Sequence, residues 1–139
     1  MAIGGESITW LLSEATTNMS IDTDMRRKMA EIGARYIART LTELGDLERM
    51  VSQLPAGGNA TLRQIEVLAH RIRGSGAVFG FAKLSDAAGV MEMLAVESAA
   101  DTSRDAQRNA QLAEQFAAHL KCLIAETHAA SAITPTLKS

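Results

Sequence analysis

Apolar residues recur along this chain at steps of three and four, the spacing of an amphipathic helix, and never in the strict alternation of a strand. Ile8, Leu11, Leu12 and Ala15 share one side of a short helix over 6–16, with Trp10 as its anchor. Thr17-Asn18-Met19-Ser20 reads as a break, after which Asp22 or Asp24 suits an N-cap. From Met25 the stripe runs through Met29, Ile32, Tyr36, Ile37, Thr40, Leu41, Leu44, Leu47, Val51 and Leu54, until Pro55-Ala56-Gly57-Gly58-Asn59 stops it. Gly33 and Gly45 lie inside this helix as candidate points of bending or close packing. Thr61 is the expected N-cap of the next helix, whose stripe is Leu62, Ile65, Leu68, Ala69, Ile72, Gly76 and Phe79 and which ends near Gly80. Leu84, Ala87, Ala88, Met91, Leu94 and Ala95 define a fourth helix. Asp101 or Thr102 is placed to cap a last one, carrying Ala106, Leu112, Phe116, Leu120, Leu123 and Ile124, which ends over 131–135.

Short loops between these stripes make consecutive helices antiparallel, so the expected fold is all-α: an up-down-up-down four-helix bundle with a short additional N-terminal helix. The expected division is a cap segment over 1–20, the bundle over 21–132 and a flexible tail over 133–139. The length of 139 residues suits one domain with one core. Composition agrees, because hydrophobic residues reach 47% while aromatics stay at 4%, a balance of Ala, Leu and Met that favours packed helices over a sheet. Met25, Met29, Met50, Met91 and Met93 read as gap fillers in or near the core.

Charge narrows the range of partners. Fourteen Lys and Arg against sixteen Asp and Glu leave a formal charge of -2, which offers no broad basic field for nucleic acid or anionic lipid. Arg63, Arg71 and Arg73 surround a single turn and are better suited to steering an acidic protein face. The one cysteine, Cys122, reads as a small buried hydrophobe in a reducing compartment. With neither a signal-like N-terminus nor a long apolar run, membrane insertion is not expected and the cytoplasm is the expected location.

The chemistry concentrates on His70. At about 100° per residue its ring points roughly 150° from the centre of its helix's apolar stripe, so it should face solvent. Val67, Gly74 and Ala77 share that face, with Glu66 and Arg73 towards one flank. Gly74 and Gly76 each cost up to about 1 kcal/mol inside a helix relative to Ala. Gly76, on the apolar face, fits the close approach of a neighbouring helix; Gly74, on the wet face, fits access to His70 by a second protein. Imidazole is nucleophilic and substantially unprotonated near neutral pH, and can accept a phosphoryl group, while a guanidinium one turn away can neutralise the oxygens that arrive. His119 and His128 lack this setting, and a helical metal site would need more than the single outward pair of His70 and Glu66.

The run His70-Arg71-Ile72-Arg73-Gly74-Ser75-Gly76-Ala77-Val78-Phe79-Gly80 resembles the motif of histidine-containing phosphotransfer domains. That motif has the acceptor His followed by Lys or Arg at the third position, Gly at the fourth, small residues, Gly at the tenth and Leu at the fourteenth; His70, Arg73, Gly74, Ser75, Gly80 and Leu84 meet it. Phe79-Gly80-Phe81 and the Glu92 of Val90-Met91-Glu92-Met93-Leu94 are also similar to the phosphotransfer domain of chemotaxis histidine kinases. Two positions depart: Arg73 replaces the commoner Lys, and Gly89 stands where the chemotaxis domains carry a second histidine.

The resemblance implies that His70 accepts phosphoryl through Nε2 and exchanges it with aspartate of receiver domains. Arg73 would steady the phosphoryl oxygens, and Glu92 or, by local geometry alone, Glu66 would orient the ring. Val67, Gly74, Ser75, Ala77 and Phe81 would form the docking surface. The implied partners are response-regulator receivers and a histidine kinase or hybrid kinase, the receiver supplying the magnesium and this chain needing no cofactor of its own. No nucleotide-binding box, phosphate-cradling loop or acidic receiver pocket is evident, so the expectation is a free-standing, monomeric phosphocarrier with no ATP-dependent kinase activity of its own. A bundle that only binds such partners, without taking phosphate, is the other function class consistent with the residues.

Overall fold

In the computed structural model, the backbone of residues 4–133 and the side chains of residues 22–132 are described. All regular structure among them is helical: α1 spans Gly4–Val78, α2 Ala82–Ala100 and α3 Ala106–Ile133. Within α1, Gly58 has a non-helical backbone (φ 58°, ψ -136°), a conformation without penalty only for a residue lacking Cβ. There the chain doubles back. Tyr36 Oη donates to the carbonyl of Ile72 at 3.3 Å, and Arg71 Nη1 lies 3.9 Å from Glu43 Oε2, so the arms before and after Gly58 run antiparallel.

The stop expected at 55–59 therefore comes at Gly58, with Pro55 still inside the helix. Thr61 is not the cap of the returning arm. It is buried within that arm, and its Oγ1 would be only 1.8 Å from a Cβ placed on Gly57, so the turn is closed by the absence of a side chain there. The break expected at 17–20 does not occur either, because the helix is continuous from Gly4. The packing of Trp10 and of the 1–20 segment as a cap falls outside the described side chains. Gly33 and Gly45 mark neither a bend nor a close contact, since a Cβ at either would meet nothing within 4 Å and the helix runs through both.

The second arm ends in a Schellman turn. Gly80 (φ 82°) follows it, Phe81 N donates to the carbonyl of Gly76 at 2.8 Å and Gly80 N to that of Ala77 at 3.2 Å, which satisfies carbonyls the helix end would leave open. Asp105 caps α3: its Oδ1 accepts from Arg108 N at 2.8 Å, the N-cap to N3 pairing. Asp101, one of the two caps expected from sequence, instead folds its own loop by accepting from Ser103 N (3.1 Å) and Ser103 Oγ (2.6 Å), bonds that hold its carboxyl below the usual range. Arg104 ties that loop to the Gly58 turn, donating to Asn59 Oδ1, Asn109 Oδ1 and the carbonyls of Ser98 and Asp101.

One core lies between the two arms of α1, α2 and α3. Leu47 and Leu54, Leu62, Ile65 and Ile72, Leu84 and Met91, and Phe116 and Leu123 are all at most 1% exposed. Each such burial is worth about 1.5–3 kcal/mol relative to exposure, which offsets the entropy of ordering the helices. Tyr36 closes the core at the end opposite Gly58, its ring stacked on Phe79 at 4.7 Å and Phe81 at 5.8 Å between centroids.

Several apolar residues expected inside are outside. Met25, Met29, Ile32 and Leu41 on α1 and Met93 on α2 are exposed. At 1.5 Å per residue the first arm of α1 is about 80 Å long and α3 about 42 Å, so the first arm outruns its neighbours around Met25 and Met29. Cys122 is exposed too, because it precedes the buried Leu123 and turns about 100° away from the α3 stripe. None of the helices, over the described residues, is long and apolar enough to cross a membrane.

Candidate functional site

His70 projects from the second arm of α1 with its side chain 64% exposed. The reason is periodicity: Ala69 and Ile72 flank it in the core stripe, both at most 1% exposed, and the intervening position is turned outward. Val67, one turn before it, and Ala77, two turns after it, are exposed on the same arm. A Cβ on Gly74 would meet nothing within 4 Å, so the space one turn beyond the ring is open. Gly76 is different: a Cβ there would lie 3.1 Å from Leu84 Cδ2 and 3.3 Å from both Cβ and N of Ser85. This close approach of α2 brings the second half of the site to His70.

From α2, Glu92 reaches the imidazole. Its side chain is only 15% exposed, and its Oε2 pairs with Nδ1 of His70 while its Oε1 lies 3.1 Å from Nε of Arg73. A carboxylate can only accept, so in this pairing Nδ1 carries the proton and donates it, and in the neutral ring the lone pair is then on Nε2. Arg73 Nη2 stands 3.4 Å from Nδ1, on the carboxylate side of the ring. Two charged groups, one from each helix, thus meet at one ring nitrogen, and no hydrogen bond engages the other. Second-helix support is direct, since Ser85 Oγ donates to the carbonyl of Arg73 at 2.8 Å and pins the helices together at this level.

Not every residue expected at the site faces it. Ser75 is half-buried and donates its hydroxyl to the carbonyl of Arg71 at 2.8 Å. Phe81 is half-buried against the core, with its ring stacked on Tyr36. Glu66 is half-buried on the His70 arm, and the carboxylate that meets the ring is Glu92. Arg63 and Arg71 line a shallow groove with Val67, Met50 and Asp46 beside the histidine. His119 is half-buried in a separate groove with Arg73, Gly89, Val90 and Met93, and His128 is exposed. Among the described residues no three His, Cys, Asp or Glu side chains gather as metal ligands.

Sequence spacing missed three contributors. Ser85 acts through the Arg73 backbone on the neighbouring arm, Arg104 through loop carbonyls and Asp105 through the first turn of α3, and nothing in the local pattern of Ser85 or Arg104 sets them apart from other polar residues. Only Asp105, standing immediately before the Ala106 that opens α3, carries a visible signal as an N-cap.

The family model described as Hpt domain matches residues 35–130, which take in both arms of α1 from just before Tyr36, all of α2 and most of α3. No curated protein and no solved structure matches the chain.

Proposed function

The chain belongs to the Hpt domain family, and from that premise we propose that it is a histidine phosphotransfer protein of a two-component phosphorelay, taking phosphoryl on His70 and exchanging it with aspartate of receiver domains. The observation that carries the reading is the pairing of Nδ1 with Glu92 on a side chain 64% exposed, which in the neutral ring leaves the lone pair on Nε2. Counting the two arms of α1 separately, the architecture is the antiparallel four-helix bundle in which such a histidine stands midway along one helix.

In the proposed transfer the Nε2 lone pair of His70 attacks phosphorus as the bond from phosphorus to the aspartyl oxygen breaks, and the receiver's carboxylate departs with the electron pair. The Nδ1 proton stays on the ring, and the positive charge that develops there is balanced by Glu92. Arg73 keeps a permanent cation on the Nδ1 side of the ring, paired with Glu92, from which its guanidinium would have to swing to reach the phosphoryl oxygens on Nε2. The receiver supplies magnesium. Val67, Gly74 and Ala77 provide an uncrowded face against which the receiver seats, with Arg63 and Arg71 attracting its acidic surface. A histidine kinase or hybrid kinase stands upstream, the protein acts as a monomer in the cytoplasm, and it has no ATP-dependent activity of its own.

Incubation with phosphoramidate, or with a phosphorylated receiver, tests this reading. The expected product is one base-stable, acid-labile phosphoryl group, absent from His70→Gln. An unlabelled wild type would leave a bundle that only binds its partners, and label retained by His70→Gln would place the acceptor elsewhere.

A further inference from the structure

Resting on the carrier reading, we infer that Gly89 is a positioning residue: it opens the track on α2 along which the Arg73 side chain runs to reach Glu92, and so couples Arg73 to the ring of His70. Ser85, Gly89 and Glu92 stand at i, i+4 and i+7 and share one face of α2. Ser85 holds the Arg73 backbone through its hydroxyl, and Glu92 receives the Arg73 Nε at 3.1 Å. Between them the Arg73 stem crosses Gly89. A Cβ there would lie 3.2 Å from Arg73 Cδ and 3.9 Å from Cγ, with no other atom within 4 Å.

That single contact decides the assignment. Gly89 lies in the interior of α2, with ordinary helical backbone and no positive φ, so glycine lowers helix propensity there and no turn requires it. It does not serve helix packing as Gly76 does, since no backbone and no core side chain approaches it. What it accommodates is the middle of the Arg73 stem. Displacing Cδ moves the adjacent Nε, the atom paired with Glu92 Oε1, and Glu92 is the group that holds Nδ1. The residue therefore acts on the acceptor through two intermediaries without touching it.

Gly89→Ala and Gly89→Leu test the inference, both being better helix formers than glycine. Both variants should melt no lower than the wild type. The rate of phosphoryl transfer from a phosphorylated receiver should fall about three- to tenfold for Leu and less for Ala, as a charge-assisted hydrogen bond is loosened. In nuclear magnetic resonance spectra of the unphosphorylated protein, the Arg73 Nε–H signal should shift or exchange faster in the Leu variant. On an Arg73→Ala background, Gly89→Leu should cost nothing further, because no stem remains to be displaced. An unmoved Arg73 signal, a large drop in melting temperature for both variants, or a full additional loss on the Arg73→Ala background would each overturn it. A wild type that takes no phosphoryl group would remove the carrier reading instead, while the Arg73 signal would still decide whether Gly89 positions the arginine.

Discussion

Replacing Glu92 separates two contributions of one carboxylate, its charge and its place as an acceptor. The side chain is 15% exposed, and each oxygen has a partner, Nδ1 of His70 and Nε of Arg73. In Glu92→Gln one partner can still donate to the amide oxygen, but the negative charge that balances the developing imidazolium is gone. In Glu92→Ala the acceptor is lost as well. A hydrogen bond to a charged group is worth about 1.5–3 kcal/mol, and about 1.4 kcal/mol is tenfold in rate. Complete loss of such a bond in the transition state thus slows transfer by about 10- to 100-fold. We expect the Ala variant within that range and the Gln variant nearer to its lower edge, since the neutral acceptor restores part of the orientation. Stability should respond less, by about 1 kcal/mol, because the His70 side chain is mostly exposed and that of Arg73 nearly half-exposed, so water takes over as their partner. The assay is transfer from a phosphorylated receiver, followed as loss of receiver phosphate over a range of carrier concentrations, beside thermal melts of each variant. Transfer by Glu92→Ala within twofold of the wild type would refute the assignment of ring orientation to Glu92.

Three further perturbations probe the rest of the molecule. Gly74→Leu places bulk in open space one turn beyond His70, so melting should be little changed while transfer slows by about tenfold or more; equal rates with every receiver tested would show that partners approach from another side. Asp105→Ala removes the N-cap of α3 and should cost about 1 kcal/mol, lowering the melting temperature by about 3 °C, and a melting curve superimposable on the wild type would contradict the cap. The only tyrosine, Tyr36, has its ionisation raised above the ordinary 10.0 by burial, so its contribution to stability is intact below pH 10 and is lost as pH rises through the higher folded-state value. Tyrosinate absorbance should therefore appear late in an alkaline titration and coincide with loss of helical signal; ionisation at or below 10 in the folded protein would count against it.

How far the chain's own pattern reaches can be seen at Ile72 and Met93. Steps of three and four put Ile72, Leu84, Met91, Phe116 and Leu123 in the core, because a helix face is a local property, fixed by 3.6 residues per turn. The same pattern marks Met25, Met29 and Met93 as apolar, yet they are exposed. Periodicity states which side of a helix is apolar and carries no information on whether a neighbour extends far enough to cover it. Helix ends were less legible than helix faces. Pro55 looks like a stop, but the reversal waits for Gly58, where φ 58° and the contact of Gly57 with Thr61 close the turn. Asp101 looks like a cap, but its carboxylate is already occupied by Ser103, and Asp105 takes the position.

The site divides along the same line. That His70 faces solvent, and that Gly74 leaves space beside it, follows from positions on one helix. That Glu92 rather than Glu66 meets the ring depends on how closely α2 can lie against the second arm of α1, a distance set by Gly76, whose missing Cβ admits Leu84 and Ser85 to within 3.1–3.3 Å of the place it would occupy. Arg73 and Gly89, the two departures from the chemotaxis pattern, stand sixteen residues apart, so nothing in local spacing relates them. In the folded chain they meet: the Arg73 stem runs through the space that a side chain at position 89 would begin to fill. Departures from a motif that meet in space are therefore better treated as one substitution than as two. The physical consequence is that Arg73→Lys should be tolerated better in a Gly89→Ala background than Gly89→Ala is with Arg73 in place: lysine presents the same Cγ and Cδ to the new methyl group, but its donor is a rotatable ammonium one bond farther on, whereas the arginine Nε that pairs with Glu92 is bonded directly to the displaced Cδ.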